Sequence, residues 1–462
     1  MQQKRFRFLR LSDLALLVLA GGLAAIFYLG SRQDLARHVP EFIAVSLLAG
    51  VFYLAAIYLV DRFRPGVLAL FIILGAGVAF RLLLLPVEPA LSSDVYRYQW
   101  EGRVQRRGVN PYTVFPAAPG LEGLEDPRHP LDTGRTTSTL YPPLSEWSFS
   151  WVESIPAYKF LYTLFDLASL GVLLLLLYLT KRPLPFAVVY AWNPTVIVSF
   201  ALGGHHDSLA ILTLLLAYLF LILRKPVFSV ATLALAFLSK VFALLLLPVF
   251  LWRTRALCAG IFAAVVALAY LPFLGAGRRL FNGLGDFARG WEGNDSLFRL
   301  IQLAGNSKPQ AYLVAGVLAL GLVVYTLRKR LEPLPAGLFL ISGLLLLSSN
   351  AFPWYFTWAV PFLCFVRNVP LLLLSITCAL GYAPVIAYAA GQPYRDSPLI
   401  LVLEYLPVLL WLAFDAVRRR TIAPSPLTPL APRADRACRA RRVPGRHRGL
   451  GGRFAGGSGP AA

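Results

Sequence analysis

Long apolar runs govern what this chain can become. The stretches 11–30, 41–60, 66–86, 157–179, 184–202, 256–274, 370–390 and 398–417 each hold about 20 mostly uncharged residues. A helix of ~20 residues crosses the ~30 Å hydrocarbon core of a bilayer. Inside that core only helices or closed barrels keep every backbone polar group satisfied. Runs of this length predict an all-α, polytopic transmembrane helical bundle of about 12–14 segments. Composition agrees, with 57% of residues hydrophobic and 15% charged, where a soluble domain carries roughly a quarter charged. A soluble enzyme, a collagen-like chain and a disordered scaffold are excluded.

The formal net charge of +21 suggests nucleic acid until it is divided along the chain. From Arg418 onward eleven arginines face one acid, Asp435, so nearly half the excess lies in 418–462. Most of the remainder sits in short loops: Arg62 and Arg64, Lys181 and Arg182, Arg224 and Lys225, Arg253 and Arg255, and Arg328–Arg330. Lys and Arg are held on the cytoplasmic side, which places these loops and both termini inside a bacterial-type plasma membrane. Loops 87–156 and 275–309 then lie outside. This scheme requires 227–239 and 241–251 to be two short segments that turn near Ser239-Lys240. A second short pair, 334–349 and 355–366, meets at Ser349-Asn350. The basic N-terminal stretch precedes an apolar run without a small-residue cleavage site and reads as a retained first helix. Residues 1–417 are expected to form the membrane domain, and 418–462 an Arg/Gly/Pro/Ala-rich cytoplasmic tail that cannot bury a core. Membrane lipids are expected partners and nucleic acid is not.

The first outer loop carries the most chemistry. In 92–112, Ser92-Ser93-Asp94 offers helix caps, and Gly108 followed by Asn110-Pro111 stops a helix. Between them Asp94, Tyr98, Glu101 and Gln105 share one helical face, and Tyr96, Trp100, Arg103 and Arg107 another. Apolar residues are scarce, so this helix is expected at the membrane surface rather than in a core. Tyr112, Tyr141, Trp147 and Trp151 add flat rings that suit sugar faces or an interface, while His129 and Glu146 add proton-transfer groups. Asp94 reads equally as an N-cap or as a functional carboxylate.

Further candidates follow along the chain. His205, His206 and Asp207 could meet a phosphate, a divalent ion or a sugar hydroxyl, or Asp207 could cap the next helix. Lys240, between two short apolar segments, could meet a lipid phosphate as a point charge or merely snorkel. Arg97 and Arg103 are other cations of the first loop. Asp166 and Glu404 are acids within apolar runs, functional candidates by default, yet each could pair structurally with Arg81 or another buried group. Trp291 and Asn294, between glycines of the second outer loop, could cover a sugar or form a plain polar turn. Cys258, Cys364 and Cys378 fall in apolar runs and Cys438 in the tail, which leaves neither outer loop a disulfide.

The stretch SDVYRYQWEGRVQRRGVNPY resembles the first-loop motif of polyprenyl-phosphate-sugar-dependent glycosyltransferases of the GT-C superfamily, and most of all their bacterial mannosyltransferase-like branch. Tyr141-Pro142-Pro143, Phe165-Asp166-Leu167, Trp192-Asn193-Pro194, Gly204-His205-His206-Asp207, Ser239-Lys240 and Pro353-Trp354-Tyr355 with Trp358 match in order, over about residues 75–365. The resemblance implies a membrane hexosyltransferase, for mannose in that branch, acting on an extracytoplasmic glycan or lipid acceptor with inversion. By position Asp94 would be the catalytic base, with Arg97, Lys240, His205 and His206 as donor-phosphate partners. Tyr98, Trp100, Glu101, Tyr141, Glu146, Asp207, Trp291 and Asn294 would then contact sugar or acceptor. Relatives with Asp-x-Asp carry two acids where this chain has Ser92-Ser93-Asp94, so no metal ligand set is assigned and any divalent cofactor stays open. Two rival readings remain: a secondary transporter or lipid flippase, a class that often contains broken helices, and a non-catalytic subunit of envelope polysaccharide assembly.

Overall fold

The computed structural model describes residues 10–421 apart from 33, 36, 130, 132, 133 and 256. The chain divides into two units, Met1–Leu412 and Ala413–Ala462. The second begins inside the last helix, and the expected tail beyond residue 421 lies outside the described residues.

Among the described residues the architecture is helical, with two isolated β-bridges, Asp126 to His129 and Gly293 to Asn350. Eight helices among the described residues are long and apolar enough to cross a membrane, and nine if the bent pair Leu184–Ala191 and Pro194–Leu202 is one span. The protein is therefore an integral-membrane helical bundle. It opens with α1 (Leu11–Ser31), α2 (Val39–Phe63) and α3 (Val67–Leu84). The first long loop carries α4 (Asp94–Arg106) and α5 (Pro143–Ser150) before α6 (Ile155–Leu179) re-enters. Shorter apolar helices cover Asp207–Ile222, Pro226–Ser239, Val241–Arg253 and Pro333–Leu347.

The break expected at Ser239-Lys240 is present. Pro226–Ser239 ends there, Lys240 is extended (φ −150°, ψ 127°), and Val241–Arg253 packs back against the helix just left. At 1.5 Å per residue each piece reaches only ~20 Å, so protein must satisfy the freed backbone groups. The short pair after residue 333 behaves alike: Pro333–Leu347 gives way to Pro353–Trp358 and Val360–Leu363, which pack on it. Basic loops meet one another at one end of the bundle. Arg253 donates to the Leu331 carbonyl at 2.9 Å, Arg367 pairs with Asp61 at 2.7 Å, and the Arg64 guanidinium lies 5.1 Å from the Phe186 ring centre.

One ion pair lies wholly inside the apolar bundle. Arg81 of α3 and Asp166 of α6 are both fully buried and joined through two guanidinium nitrogens, the longer bond being 3.2 Å. Arg81 also donates to the carbonyls of Gly77 and Ala191 at 2.8 Å each, so a third segment joins the knot. The structural alternative for Asp166 is thereby the one observed. Glu404 likewise accepts a hydrogen bond, from the Asn294 side chain at 2.9 Å.

The first loop differs from its expectation in one respect. Although poor in apolar residues, α4 is buried nearly all round, at Val95, Tyr96, Tyr98, Gln99, Trp100, Glu101, Gly102 and Val104. The reason is backbone contact: at Gly102 a side chain would collide with the Phe149 carbonyl of α5 and the Tyr158 hydroxyl of α6. The helix is therefore the centre of a small aromatic core of its own. The second long loop closes onto the first, since Asn110 donates to the Phe273 carbonyl at 3.1 Å and Gly283 sits against the carbonyls of Ser138 and Thr139.

Breaking a buried pair by removing one partner strands a charge, at a cost of about 3–5 kcal/mol. Arg81→Leu or Asp166→Leu alone should lower the thermal midpoint in detergent sharply. The double substitution should recover most of the loss. A double variant no better than either single one would show that the pair does not act as a unit.

Candidate functional site

A cavity of about 990 Å³ opens where the ends of α1 and α3, the chain leading into α4, and segments 352–355 and 382–394 converge. Residues 86–94 form one continuous wall. Lys240, Trp354, Tyr355 and Tyr382 line it elsewhere, together with Tyr141, Phe287, Trp291 and Tyr394. Flat rings stack in two ladders beside it. Phe352 lies on Trp354 (4.9 Å, 7°) and Trp354 on His205 (4.1 Å, 16°). Phe242 lies on Trp358 (4.2 Å, 8°) and Trp358 on Tyr355 (4.6 Å, 22°).

Asp94 begins α4, where the Ser92 hydroxyl accepts its backbone N–H at 3.2 Å. Ser93 is the N-cap residue and makes no side-chain cap bond, and the Asp94 side chain faces the cavity, 32% exposed. Its Oδ2 stands 3.5 Å from His205 Nδ1 and accepts the Tyr98 hydroxyl at 3.4 Å. Burial pushes the carboxyl upward, but the hydrogen bond and charge of His205, then Lys240 and Ser92, outweigh it and hold the group below the usual aspartate value. A carboxylate so held is ionised at neutral pH and can accept a proton. Two glycines seat the histidine. Gly204 takes φ +66°, and a side chain at Gly203 would strike the His205 ring.

Lys240 occupies the helix break and faces the same cavity. Its ammonium lies 3.1 and 3.2 Å from the two oxygens of Asp207, over the Tyr355 ring at 4.7 Å and near Trp358 at 5.8 Å. Asp207, fully buried, also accepts the Trp358 indole N–H at 2.7 Å. An ammonium has three donors, and Asp207 can occupy no more than two. At least one N–H of Lys240 therefore has no carboxylate partner in Asp207.

The structure gathers Asp94, His205, Lys240, Asp207 and Tyr141 around one place, with Trp291 on a further wall. Others of the expected set stand apart from it. Arg97 is consumed by the loop: it pairs with Glu101 at 2.7 Å and donates to the carbonyls of Gly134 and Thr137 at 2.8 and 2.7 Å. Trp100 is buried beneath that guanidinium, 5.1 Å away, and Arg103 donates to the Leu124 carbonyl at 2.9 Å. His206 is enclosed by Tyr98, Tyr141 and Phe149, with ring centres 5.0, 4.9 and 5.5 Å away. Burial pushes its pKa well down and keeps it neutral, which ill suits a phosphate partner. Asn294 (φ 54°) ties the second loop to the last helix: its side chain donates to the Ala351 carbonyl and Glu404, its N–H to Asp396, and its carbonyl accepts Tyr405. Glu88, Arg128, Tyr382 and Tyr394 line the cavity without having been singled out, because each is a lone polar or aromatic residue with no motif around it.

Glu101 and Glu146 form a separate buried pair between α4 and α5. Glu146 accepts the Thr139 hydroxyl and, at 2.8 Å, the Gln105 amide. Burial first, then the neighbouring Glu101 carboxylate, pushes Glu146 well above the usual glutamate range, so it stays protonated.

Comparison with known proteins bears on the whole arrangement. A family model described as Alpha-(1->6)-mannopyranosyltransferase, N-terminal domain, matches residues 33–256. That segment includes Asp94, His205, Asp207 and Lys240. The chain is also 27% identical over 180 residues to an Alpha-(1->6)-mannopyranosyltransferase A of Corynebacterium glutamicum. That alignment covers 37% of this chain and 36% of the relative, so the chain matches about a third of the relative's length. The resemblance to membrane mannosyltransferases read from the first outer loop is borne out.

The Glu101–Glu146 pair carries a pH signature. The folded chain holds the Glu146 proton more tightly than the unfolded chain, so stability is full below the ordinary glutamate value of 4.5 and falls as pH rises above it. Glu146→Gln keeps the shape without the ionisation. It should flatten the fall in thermal midpoint between pH 5 and pH 8 measured in detergent; an unchanged slope would place the titration elsewhere.

Proposed function

We propose that this protein is an inverting glycosyltransferase that moves a hexose, mannose by its relatives, from a polyprenyl-phosphate donor to a glycan or lipid acceptor. The observation that carries this reading is that the Asp94 carboxylate and the Lys240 ammonium face one aromatic-lined cavity. Residues 1–417 form the catalytic membrane domain in this reading. The cavity lies on the extracytoplasmic side, with both termini in the cytoplasm, because the basic loops gather at one end of the bundle.

The chemistry asks little beyond these groups. Asp94 accepts the proton of the acceptor hydroxyl as its oxygen bonds to the anomeric carbon, and the carbon–oxygen bond to the lipid phosphate breaks on the opposite face. The leaving phosphate keeps the electron pair. Lys240 meets the developing charge with its remaining N–H, and Asp207 and Trp358 fix where that N–H points. His205, braced on Trp354, sets the carboxylate's position. The flat rings suit sugar faces, and the donor's tail stays in lipid while its head enters the cavity.

The transporter alternative drew on acids within the membrane. Asp166 is engaged by Arg81 and Glu404 by Asn294, and neither lines the cavity. Transfer is the reading this arrangement favours.

A positioned general base contributes typically ~10²–10⁴-fold. Asp94→Asn should lower transfer from a polyprenyl-phosphate sugar by that factor while donor binding persists, and Lys240→Ala should raise the donor KM. Product yield followed by mass spectrometry on purified protein decides it. Wild-type levels of product from Asp94→Asn would remove Asp94 as the base. Solute uptake into vesicles without product would replace the reading by transport.

A further inference from the structure

The cavity is larger than one sugar-phosphate head requires. About 990 Å³ stands at the upper end of the ~300–1,000 Å³ usual for ligand clefts, and its lining carries two groups of different chemistry. One holds Asp94, Lys240 and the stacked aromatic rings. The other, at the start of the 86–94 wall, holds Glu88, Tyr96, Arg128 and His129, none of which the proposed chemistry uses.

This second group is ordered. The His129 ring stacks on Tyr96 with centres 4.3 Å apart and planes within 16°. His129 Nε2 lies 2.9 Å from Glu88 Oε1, and the Glu88 side chain remains 66% exposed. Arg128, on the same turn, is held by both oxygens of Asp126 at 3.2–3.3 Å. Tyr96 follows Asp94 by two residues of α4 and so lies on a different face of that helix. Both nonetheless line the one cavity, so a ligand resting on the His129 ring shares that cavity with the carboxylate assigned as base.

We infer that Glu88, His129 and Arg128 form an acceptor subsite for a neutral pyranose, next to the ring that offers its hydroxyl to Asp94. Charge decides the ligand class. Asp126 offsets Arg128, and Glu88 adds a further negative charge, so the rim has no net positive charge with which to hold a phosphate. Carboxylate, guanidinium and imidazole edges in fixed positions suit sugar hydroxyls, which both donate and accept. A flat ring braced from behind suits the apolar face of a pyranose. The inference rests on the sugar-transfer reading, in which this part of the cavity is left to the acceptor.

The test uses full-length protein in detergent micelles. Binding of methyl α-mannoside and of a short α-linked mannooligosaccharide is followed by saturation-transfer NMR, and acceptor and donor KM are measured where product forms. Glu88→Gln, His129→Ala and Arg128→Ala should each weaken oligosaccharide binding and raise the acceptor KM about tenfold or more, the scale of one charge-assisted hydrogen bond. The donor KM should stay within a factor of two. Thermal midpoints matching wild type show that the variants fold, and Glu88→Asp, which keeps the charge, should recover part of the binding. If the three variants bind the oligosaccharide as wild type does, or the donor KM moves with the acceptor KM, the subsite is overturned. If only Arg128→Ala matters, and inorganic phosphate competes, the rim is an anion site and the inference fails. Rim-dependent binding without any sugar transfer supports the subsite as a carbohydrate site and sinks the transferase reading instead.

Discussion

The Asp207 carboxylate is the point on which the cavity depends. It is fully buried, yet it accepts Lys240 and the Trp358 indole, and so joins three segments that are far apart in the chain. An ammonium in a bilayer-sized apolar bundle is costly unless paired, and a helix broken short of the bilayer's width needs protein partners for its backbone. Both demands are met at one place. The cation that a phosphate would require is held where a helix has already been interrupted, and its counter-ion begins the helix alongside.

The long loops apply the same economy to polar groups. Arg97, an apparent ligand cation, instead staples 134–137 to α4 through two carbonyls and Glu101. Glu101 and Glu146 are buried together between α4 and α5. Asn294 joins residue 351, Asp396, Glu404 and Tyr405, bringing the second long loop and the last span into one network. These groups give the cavity fixed walls, which is what the placement of Asp94 relative to Lys240 requires.

How far the sequence could be read followed from the kind of signal. The apolar runs and the break at Lys240 are one-dimensional patterns, and they translated directly into helices and an interruption. The stop after Gly108 did so as well. Helical spacing put Asp94 and Tyr98 on one face, and they do touch. It could not distinguish Asp94, which opens onto the cavity, from Glu101, which the same face buries against α5. Nor could it tell adjacent His205 and His206 apart, because their fates are set by Trp354 on one side and Tyr98, Tyr141 and Phe149 on the other. Glu88, Arg128 and Tyr394 carried no pattern at all. They matter only through the convergence of chain ends, which spacing along one segment does not contain.

The contact between Gly283 and the carbonyls of Ser138 and Thr139 has a consequence for the order of assembly. The ribosome releases the first long loop about 140 residues before Gly283 exists. Until then nothing covers Ser138 and Thr139 from that side, and the neighbouring segment of Asn110 and Tyr112 lacks Phe273 to rest on. The first loop thus reaches its final packing only after six further apolar segments have been made. A nascent chain halted between residues 150 and 270 would carry every residue of the Asp94 helix and still lack the surface that seats its loop.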